Sequence, residues 1–515
     1  MNKNDQTRRK FLKTISAYSV ALSLFGVSYA NVKKMKKPNI ILVLTDDLGW
    51  ADTSVRMMKD RSDSKSNIYQ TPNLERMAKQ SMIFSNAYSS SPVCSPTRDS
   101  ILYGKTPARL HHSILLGKAK IEPEALTIPR VMKKTDSAYI TAHFGKWGCS
   151  PKTPEEAGYD VSDGDTDNWH GDWRNINGKK QLLPANDPKR IFSVTKRVCS
   201  FIEHQVKVNR PFYIQISHYA VHVNHYALEE TINKYRQAGL DESAAKYAAM
   251  IENLDTGLGK LLDKIDELNI IDNTYIIFTS DNGAGDNNGP LKGGKASLWE
   301  GGIRIPTVVQ GPGIQAGTYC DIPIVGWDFL PTFKHLAGDS TPLPDDFDGG
   351  SLHSLFEKVS NGIVKRDTKD LIFHYPWFDS LPMSAIRRDD FKLVKDLNTN
   401  ETRLFNLAHD IGETTDVMDS NADIAEEMRQ TLEMYLNAVN AEKIENLRNE
   451  REETLHKWIK RDEQILGKLE KQIIISNDPK EKIGIKKEYD MIKKRIQGQN
   501  AALDRVAKGR LMKAW

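Results

Sequence analysis

Asn39-Ile40-Ile41-Leu42-Val43-Leu44, followed directly by Thr45-Asp46-Asp47, is the stretch that decides the architecture. A strand with one wet face alternates apolar and polar residues. This one is apolar without a break, so both of its faces are buried, as in a parallel sheet. Three later segments repeat the design. Residues 139–142 run into His143-Phe144-Gly145-Lys146-Trp147, residues 212–217 into His218 and His222, and residues 274–278 into Thr279-Ser280-Asp281-Asn282-Gly283. Helical stretches lie between them. From about residue 245 to 268, Tyr247, Ile251, Leu254, Leu258, Leu261, Ile265 and Leu268 recur at steps of three and four. Strands alternating with helices predict an α/β sandwich around a large, mostly parallel sheet. Ligand groups in such sheets gather past the carboxyl ends of the strands. Here every strand ends in polar residues.

The flanks differ from this core. Thr7-Arg8-Arg9-Lys10-Phe11-Leu12-Lys13 precedes an apolar run that ends in Ser28-Tyr29-Ala30. Residues 1–30 therefore read as an export signal peptide, and the paired arginines resemble a twin-arginine signal. Residues 31–375 are expected to form the main catalytic domain. Residues 376–440, with short antiparallel strands and a helix, are read as a smaller C-terminal α+β subdomain. Residues 441–515 are rich in Lys, Glu and Arg at helical spacing. Leu455, Trp458, Ile459, Ile465, Leu469 and Ile473 form one stripe, Ile485, Tyr489, Ile492 and Ile496 another, with a turn at Asn477-Asp478-Pro479. A helical hairpin extension is expected, packing on the lobe or offering a surface for a homo-oligomer.

The 515 residues carry a formal charge of +4. Lys3, Arg8, Arg9, Lys10 and Lys13 against Asp5 account for all of it. The remainder is near neutral, which argues against nucleic acid as a partner. No membrane span is read in the chain after the leader. The four cysteines, Cys94, Cys149, Cys199 and Cys320, contain no Cys-x-x-Cys pair, so a thiolate zinc site is not expected.

Two strand ends supply Asp46, Asp47, Asp281 and Asn282. Hard oxygen donors without nearby thiolates favour calcium or magnesium. Either pair alone is an ordinary turn or cap. Cys94-Ser95-Pro96-Thr97-Arg98 lies between them in sequence and reads as the start of a short helix closed by Gly104. Cys94 would stand at the positive helix end with Arg98 one turn away, a place for an anion. Lys146 and Lys295, each beside glycine, can bring point charges to an oxyanion, and His222 can deliver a proton to a leaving oxygen.

The Cys-x-Pro-x-Arg stretch matches the signature of the sulfatases. Pro38-Asn39-Ile40 with Asp46-Asp47, Thr71-Pro72-Asn73-Leu74, Gly145-Lys146-Trp147, the His222 segment, Asp281-Asn282-Gly283 and residues 295–302 resemble type I sulfatases, in the family's order. Asp328-Phe329-Leu330-Pro331-Thr332 and residues 404–413 extend the likeness. The resemblance implies an alkaline-phosphatase-like fold. It also implies one calcium ion on Asp46, Asp47, Asp281 and Asn282, and oxidation of Cys94 to formylglycine by a maturation enzyme. The formylglycine hydrate would attack sulfur, Arg98 would orient it, and Lys146, Lys295 and His222 would bind sulfate and assist the leaving group. Asn168 lies where the family often places another polar contact. Many members have a histidine after Gly-Lys-Trp, and here that position is Gly148, which leaves the proton acceptor of the later step open.

The expected function is an exported, periplasmic or secreted sulfatase. Its substrate is expected to be a sulfated carbohydrate, because residues 168–174 and a loop opening at His374 mix aromatic and polar groups. The alternatives are a phosphomonoester or phosphonate ester hydrolase of the same superfamily, and a non-catalytic glycan-binding protein on the same scaffold. Only Gly148 leans toward the second.

Overall fold

The computed structural model describes residues 37–115, 119–176, 179–285, 288–377 and 381–508. The leader read over residues 1–30 lies outside them. Asn39–Thr45 (β1), Met82–Phe84 (β2), Ile140–Gly145 (β3), Val161–Ser162 (β4), Phe212–Ser217 (β5), Thr274–Ser280 (β6), Val308–Gln310 (β7) and Thr318–Cys320 (β8) form one sheet. Its order is β8-β2-β7-β6-β1-β5-β3-β4. The four strands marked by their apolar runs are its centre, and they are mutually parallel. Strand β7 runs antiparallel to β6 and β2, which makes the sheet mixed.

Alternation along β1 explains why it is apolar throughout. Ile41 and Val43 face one layer, with Val194 and Val198 of the helix Ile191–Lys207 and Leu254 and Leu258 of the helix Glu242–Glu267. Ile40, Leu42 and Leu44 face the other, with Ile101 and Leu102 of the helix Cys94–Tyr103, Val131 and Phe333. In chain order these three helices are α1 (Cys94–Tyr103), α2 (Ile191–Lys207) and α3 (Glu242–Glu267). Asp241 caps α3 by accepting from Ala244 N–H at 2.9 Å.

Leu371–Tyr375 (β9), Met383–Arg388 (β10), Phe391–Asp396 (β11) and Thr402–Asn406 (β12) form a second, antiparallel sheet. It begins at Leu371, so the boundary expected at 376 falls just after its first strand, which pairs with the second sheet and not with the first. One face packs on Met428 and Leu432 of the helix Ala422–Ala438 (α4), the other on Trp299 and Trp327 of the main lobe. Ile444–Ile475 (α5) and Pro479–Lys508 (α6) form the expected hairpin. Its base packs on Ile114 and Trp377. No helix among the described residues is long and apolar enough to cross a membrane.

A buried ionic cluster joins the second sheet to the lobe. Lys392 Nζ of β11 lies 2.9 Å from Glu300 Oε1 and 2.8 Å from Glu413 Oε1. Arg304 Nε and the Tyr88 hydroxyl both donate to Glu300 Oε2 at 2.7 Å. Burial raises the Glu413 carboxyl to about 7 against the pull of Lys392. Removing one partner from such a cluster leaves charge buried and unpaired, at a cost of about 3–5 kcal/mol. Lys392→Met is therefore expected to lower unfolding free energy by that amount in denaturant titrations. Because the folded pKa of Glu413 lies above its unfolded value, this carboxyl favours folding less and less as pH rises from about 4.5 to about 7, and above that its charge relies on Lys392 for compensation. The Lys392→Met deficit should accordingly be larger at pH 8 than at pH 5.

Candidate active site

Register brings the site together. Thr45 of β1 pairs with Ser280 of β6, Leu44 with Ser217 of β5, and Gly145 of β3 with Ser217. The chain beyond each strand end is thus held to its neighbour. Asp281 N–H donates to Thr45 O at 3.1 Å, Lys146 N–H to Ser217 O at 2.8 Å, and Asp46 N–H to Ala220 O at 2.9 Å. Gly145 makes the turn into Lys146 at φ +99°, where a Cβ would stand 2.0 Å from Ser217 O, so only glycine fits. Asp163 fixes the same turn by accepting from Gly145 N–H at 2.8 Å, and Arg197 holds that carboxylate at 2.7 Å.

Helix α1 delivers the thiol. Cys94 is its first residue, Val93 before it is extended, and Gly104 ends it at φ +65°. Cys94 is 2% exposed and Arg98 is fully buried. The Cys94 sulfur and one carboxylate oxygen each of Asp46 and Asp281 lie within 4.8 Å of one another. An oxygen each of Asp46 and Asp47 forms a second such group with a ring nitrogen of His222.

Each cation in the cluster leans on a carboxylate. Arg98 Nε and Nη2 donate to Asp281 Oδ2 at 3.0 and 2.7 Å, and Nη1 donates to Lys146 O at 3.0 Å. Lys146 Nζ lies 2.7 Å from Asp46 Oδ2. Lys295 Nζ bridges both Asp47 oxygens at 2.6 and 2.7 Å. Burial pushes the Asp46 carboxyl up, but Lys146, Arg98, His222 and Lys295 together outweigh it and hold it below the usual range. Asp281 goes the other way, to about 6, through burial and the neighbouring Asp46 charge.

Asp46 Oδ1 and Asn282 Oδ1 are buried without a hydrogen-bond partner. Two orphaned oxygens beside the Asp47 and Asp281 carboxylates are a donor set for a hard divalent cation, and the four residues fit the ion expected there.

The floor of the site is buried, whereas Lys295, His222 and Asn168 form a half-buried rim. Asn168 Nδ2 lies 3.2 Å from His222 Nε2, and His222 Nδ1 lies 2.5 Å from Val223 O. The carbonyl can only accept, which assigns the proton of the neutral ring to Nδ1. Burial lowers the His222 pKa, and Asp46 and Asp47 pull it back up.

Cys94, Arg98, Lys146, His222, Lys295, Asn168 and the four oxygen-donor residues therefore gather in one place. His374 is the exception, and its reading as a substrate contact is corrected. It sits on β9, 7% exposed, and both ring nitrogens are used at 2.7 Å, on Ser384 Oγ and Glu442 O. A histidine with both nitrogens satisfied inside the protein has nothing left for a ligand.

His143 stays apart as well. Its Nε2 faces Ser217 Oγ at 3.1 Å and its ring packs edge-on to Trp147. Gly148, at φ +58°, lies at the cluster: a Cβ there would be 3.6 Å from Arg98 Cδ and Lys146 Cε. Lys189, 1% exposed and paired with Asp172, anchors the loop that carries Asn168. It carries no sequence signal, because it is an isolated lysine outside any motif.

Three cations around a buried thiol, at the carboxyl ends of the parallel central strands, make a site suited to an anionic group. The sulfatase family model matches residues 38–339. A sulfatase of Formosa agariphila is 27% identical over 84% of this chain and 95% of its own length. The N-acetylgalactosamine-6-sulfatase of Homo sapiens is 28% identical over 61% of this chain and 65% of its own length. Among solved structures, Ps i-CgsB in complex with k-i-k-neocarrahexaose has a TM-score of 0.67 and 27% identity, covering 78% of this chain and 93% of that one. This chain belongs to the sulfatase family of the alkaline phosphatase superfamily and is a sulfuric ester hydrolase.

Proposed function

We propose that the enzyme removes sulfate from a sulfated carbohydrate, with residue 94 as formylglycine and one calcium ion held by Asp46, Asp47, Asp281 and Asn282. The observation that carries this reading is the Cys94 sulfur within 4.8 Å of the Asp46 and Asp281 carboxylates. The carbohydrate is supported by relatives named N-acetylgalactosamine-6-sulfatase and by a structural neighbour in complex with a neocarrahexaose. When present, formylglycine supplies a hydrate hydroxyl as nucleophile toward sulfur, and calcium draws charge from the sulfate oxygens.

The chain's own groups do the rest. Lys146 and Lys295 neutralise sulfate oxygens as negative charge shifts during S–O cleavage. Arg98, fixed by Asp281, orients residue 94. Protonated His222 gives its Nε2 proton to the departing alcohol oxygen, and Val223 O keeps the ring oriented. Asn168 Nδ2 donates to that nitrogen once it has given up its proton. Export is supported by the leader over residues 1–30, which would place the enzyme in the periplasm or outside the cell. Oxidation of Cys94 requires a maturation enzyme.

Turnover of an aryl sulfate beside the matching aryl phosphate tests the reaction. Strong preference for phosphate would overturn it. Sulfate release from a panel of sulfated polysaccharides tests the substrate class. His222→Ala is expected to lose about 10²–10⁴-fold in kcat on a carbohydrate sulfate. The loss should be much smaller on nitrophenyl sulfate, whose leaving group needs no proton. Equal losses on both would remove His222 from the acid role.

A further inference from the structure

The hairpin carries a groove that the catalytic centre does not use. It lies between α5 and α6 as an open depression of about 560 Å³, lined by Arg451, Leu455, Trp458, Arg461, Arg495 and Gln499. No carboxylate is among its described lining residues. Trp458 is 40% exposed, although helical spacing puts it on the apolar stripe. The buried seam instead runs through Leu455, Ile459 and Asp462. Asp462, with no exposed surface, holds Arg495 through two contacts of 2.6 Å and Arg461 at 3.1 Å, and it accepts from Gln499 at 2.8 Å. One buried carboxylate thus fixes two guanidinium groups whose outer edges stay in solvent: the Arg461 and Arg495 side chains are 58% and 43% exposed. Arg451 stacks on Trp458 at 5.2 Å.

Gly498 completes the groove. It sits inside α6, where glycine costs about 1 kcal/mol relative to alanine. No heavy atom lies within 4 Å of where its Cβ would stand, so no packing demands it. Its missing side chain leaves that side of the groove open.

We propose that this groove binds a sulfated saccharide segment as a non-catalytic anchoring site. Guanidinium forks match sulfate oxygens in pairs, and the Trp458 face suits the C–H surface of a sugar ring. Three arginines against one buried carboxylate give a surplus of positive charge where the chain beyond its leader is close to neutral. The proposal rests on the reading that the substrate is a sulfated polysaccharide. A long chain held here would stay near the enzyme between turnovers, because a second contact raises its effective concentration.

The test is affinity electrophoresis of the full chain through gels containing carrageenan or heparin, with agarose as the unsulfated control. The wild type should be retarded by a sulfated polymer only, and less so as salt rises. Gly498→Glu adds bulk and negative charge to the groove lining while favouring the helix, and Trp458→Ala removes the platform. Each is expected to weaken retardation at least fivefold and to leave aryl sulfate turnover within twofold. Retardation unchanged in both variants, or no retardation of the wild type, would overturn the groove. Sulfate release from the same polymers judges the substrate class separately. Release without retardation sinks only the groove, and retardation without release sinks only the substrate reading.

Discussion

Cys94→Ala is expected to eliminate sulfate ester turnover, by at least about 10⁴-fold in kcat/KM, the scale on which loss of a covalent nucleophile acts. The fold should survive. Residue 94 is the first position of α1, where alanine is well tolerated, and the helix is closed independently by Gly104. A single sulfur is lost from a site whose remaining charges are paired with each other, so the melting temperature should stay within about two degrees. Peptide mass spectrometry of the wild type gives the complementary result: an aldehyde at residue 94 in active preparations. Full activity from a chain with an unmodified Cys94 thiol, or from the alanine variant, would end the assignment of the nucleophile.

Several features of this site were legible in the sequence because they are local. Each central strand is a mostly apolar run that ends in polar residues, and the parallel register then puts those ends side by side. Asp46, Lys146 and Asp281 needed nothing else to meet. The short strands β2, β7 and β8 were invisible because three residues are too short to display a period. His374 misled for the opposite reason. It lies in an aromatic stretch that suits a sugar, yet β9 turns it toward Ser384 and the carbonyl of Glu442, contacts across 10 and 68 residues that no local pattern records. The boundary expected at 376, which leaves the first strand of the second sheet behind, has the same origin. Leu371–Tyr375 looks like one more buried strand, and only pairing with Met383–Arg388 assigns it to the second sheet.

The anchors behind the site were not legible either. Asp163 with Arg197, and Lys189 with Asp172, are pairs whose members carry no motif, and they hold the turn at Gly145 and the loop of Asn168. Gly148 was legible as a departure from the family, and its geometry gives the departure meaning. The position faces Arg98 and Lys146 at van der Waals distance, but at φ +58° a histidine would be strained. The backbone here is built for the residue it has.

Removing the divalent ion and cutting Asp281 strike the same cluster with different signatures. Arg98, Lys146 and Lys295 against Asp46, Asp47 and Asp281 make the buried cluster formally neutral. A neutral cluster has little attraction for sulfate, and a dication on the carboxylates makes it net positive. Chelation should therefore abolish activity and lower the melting temperature, since an ion at a hundred times its Kd adds about 2.7 kcal/mol to folding. Asp281→Ala goes further. It strips Arg98 of its two short contacts and leaves Asp46 Oδ2 at 3.7 Å as the nearest carboxylate oxygen recorded for it. An unpaired buried guanidinium costs about 3–5 kcal/mol, so the variant should melt below the chelated wild type. Added calcium should raise the wild type and leave the variant nearly unmoved, with turnover down at least about 10³-fold. A wild type that melts alike with calcium and with chelator, beside an Asp281→Ala variant that still turns over, would show that the carboxylates serve only to pair Arg98, Lys146 and Lys295.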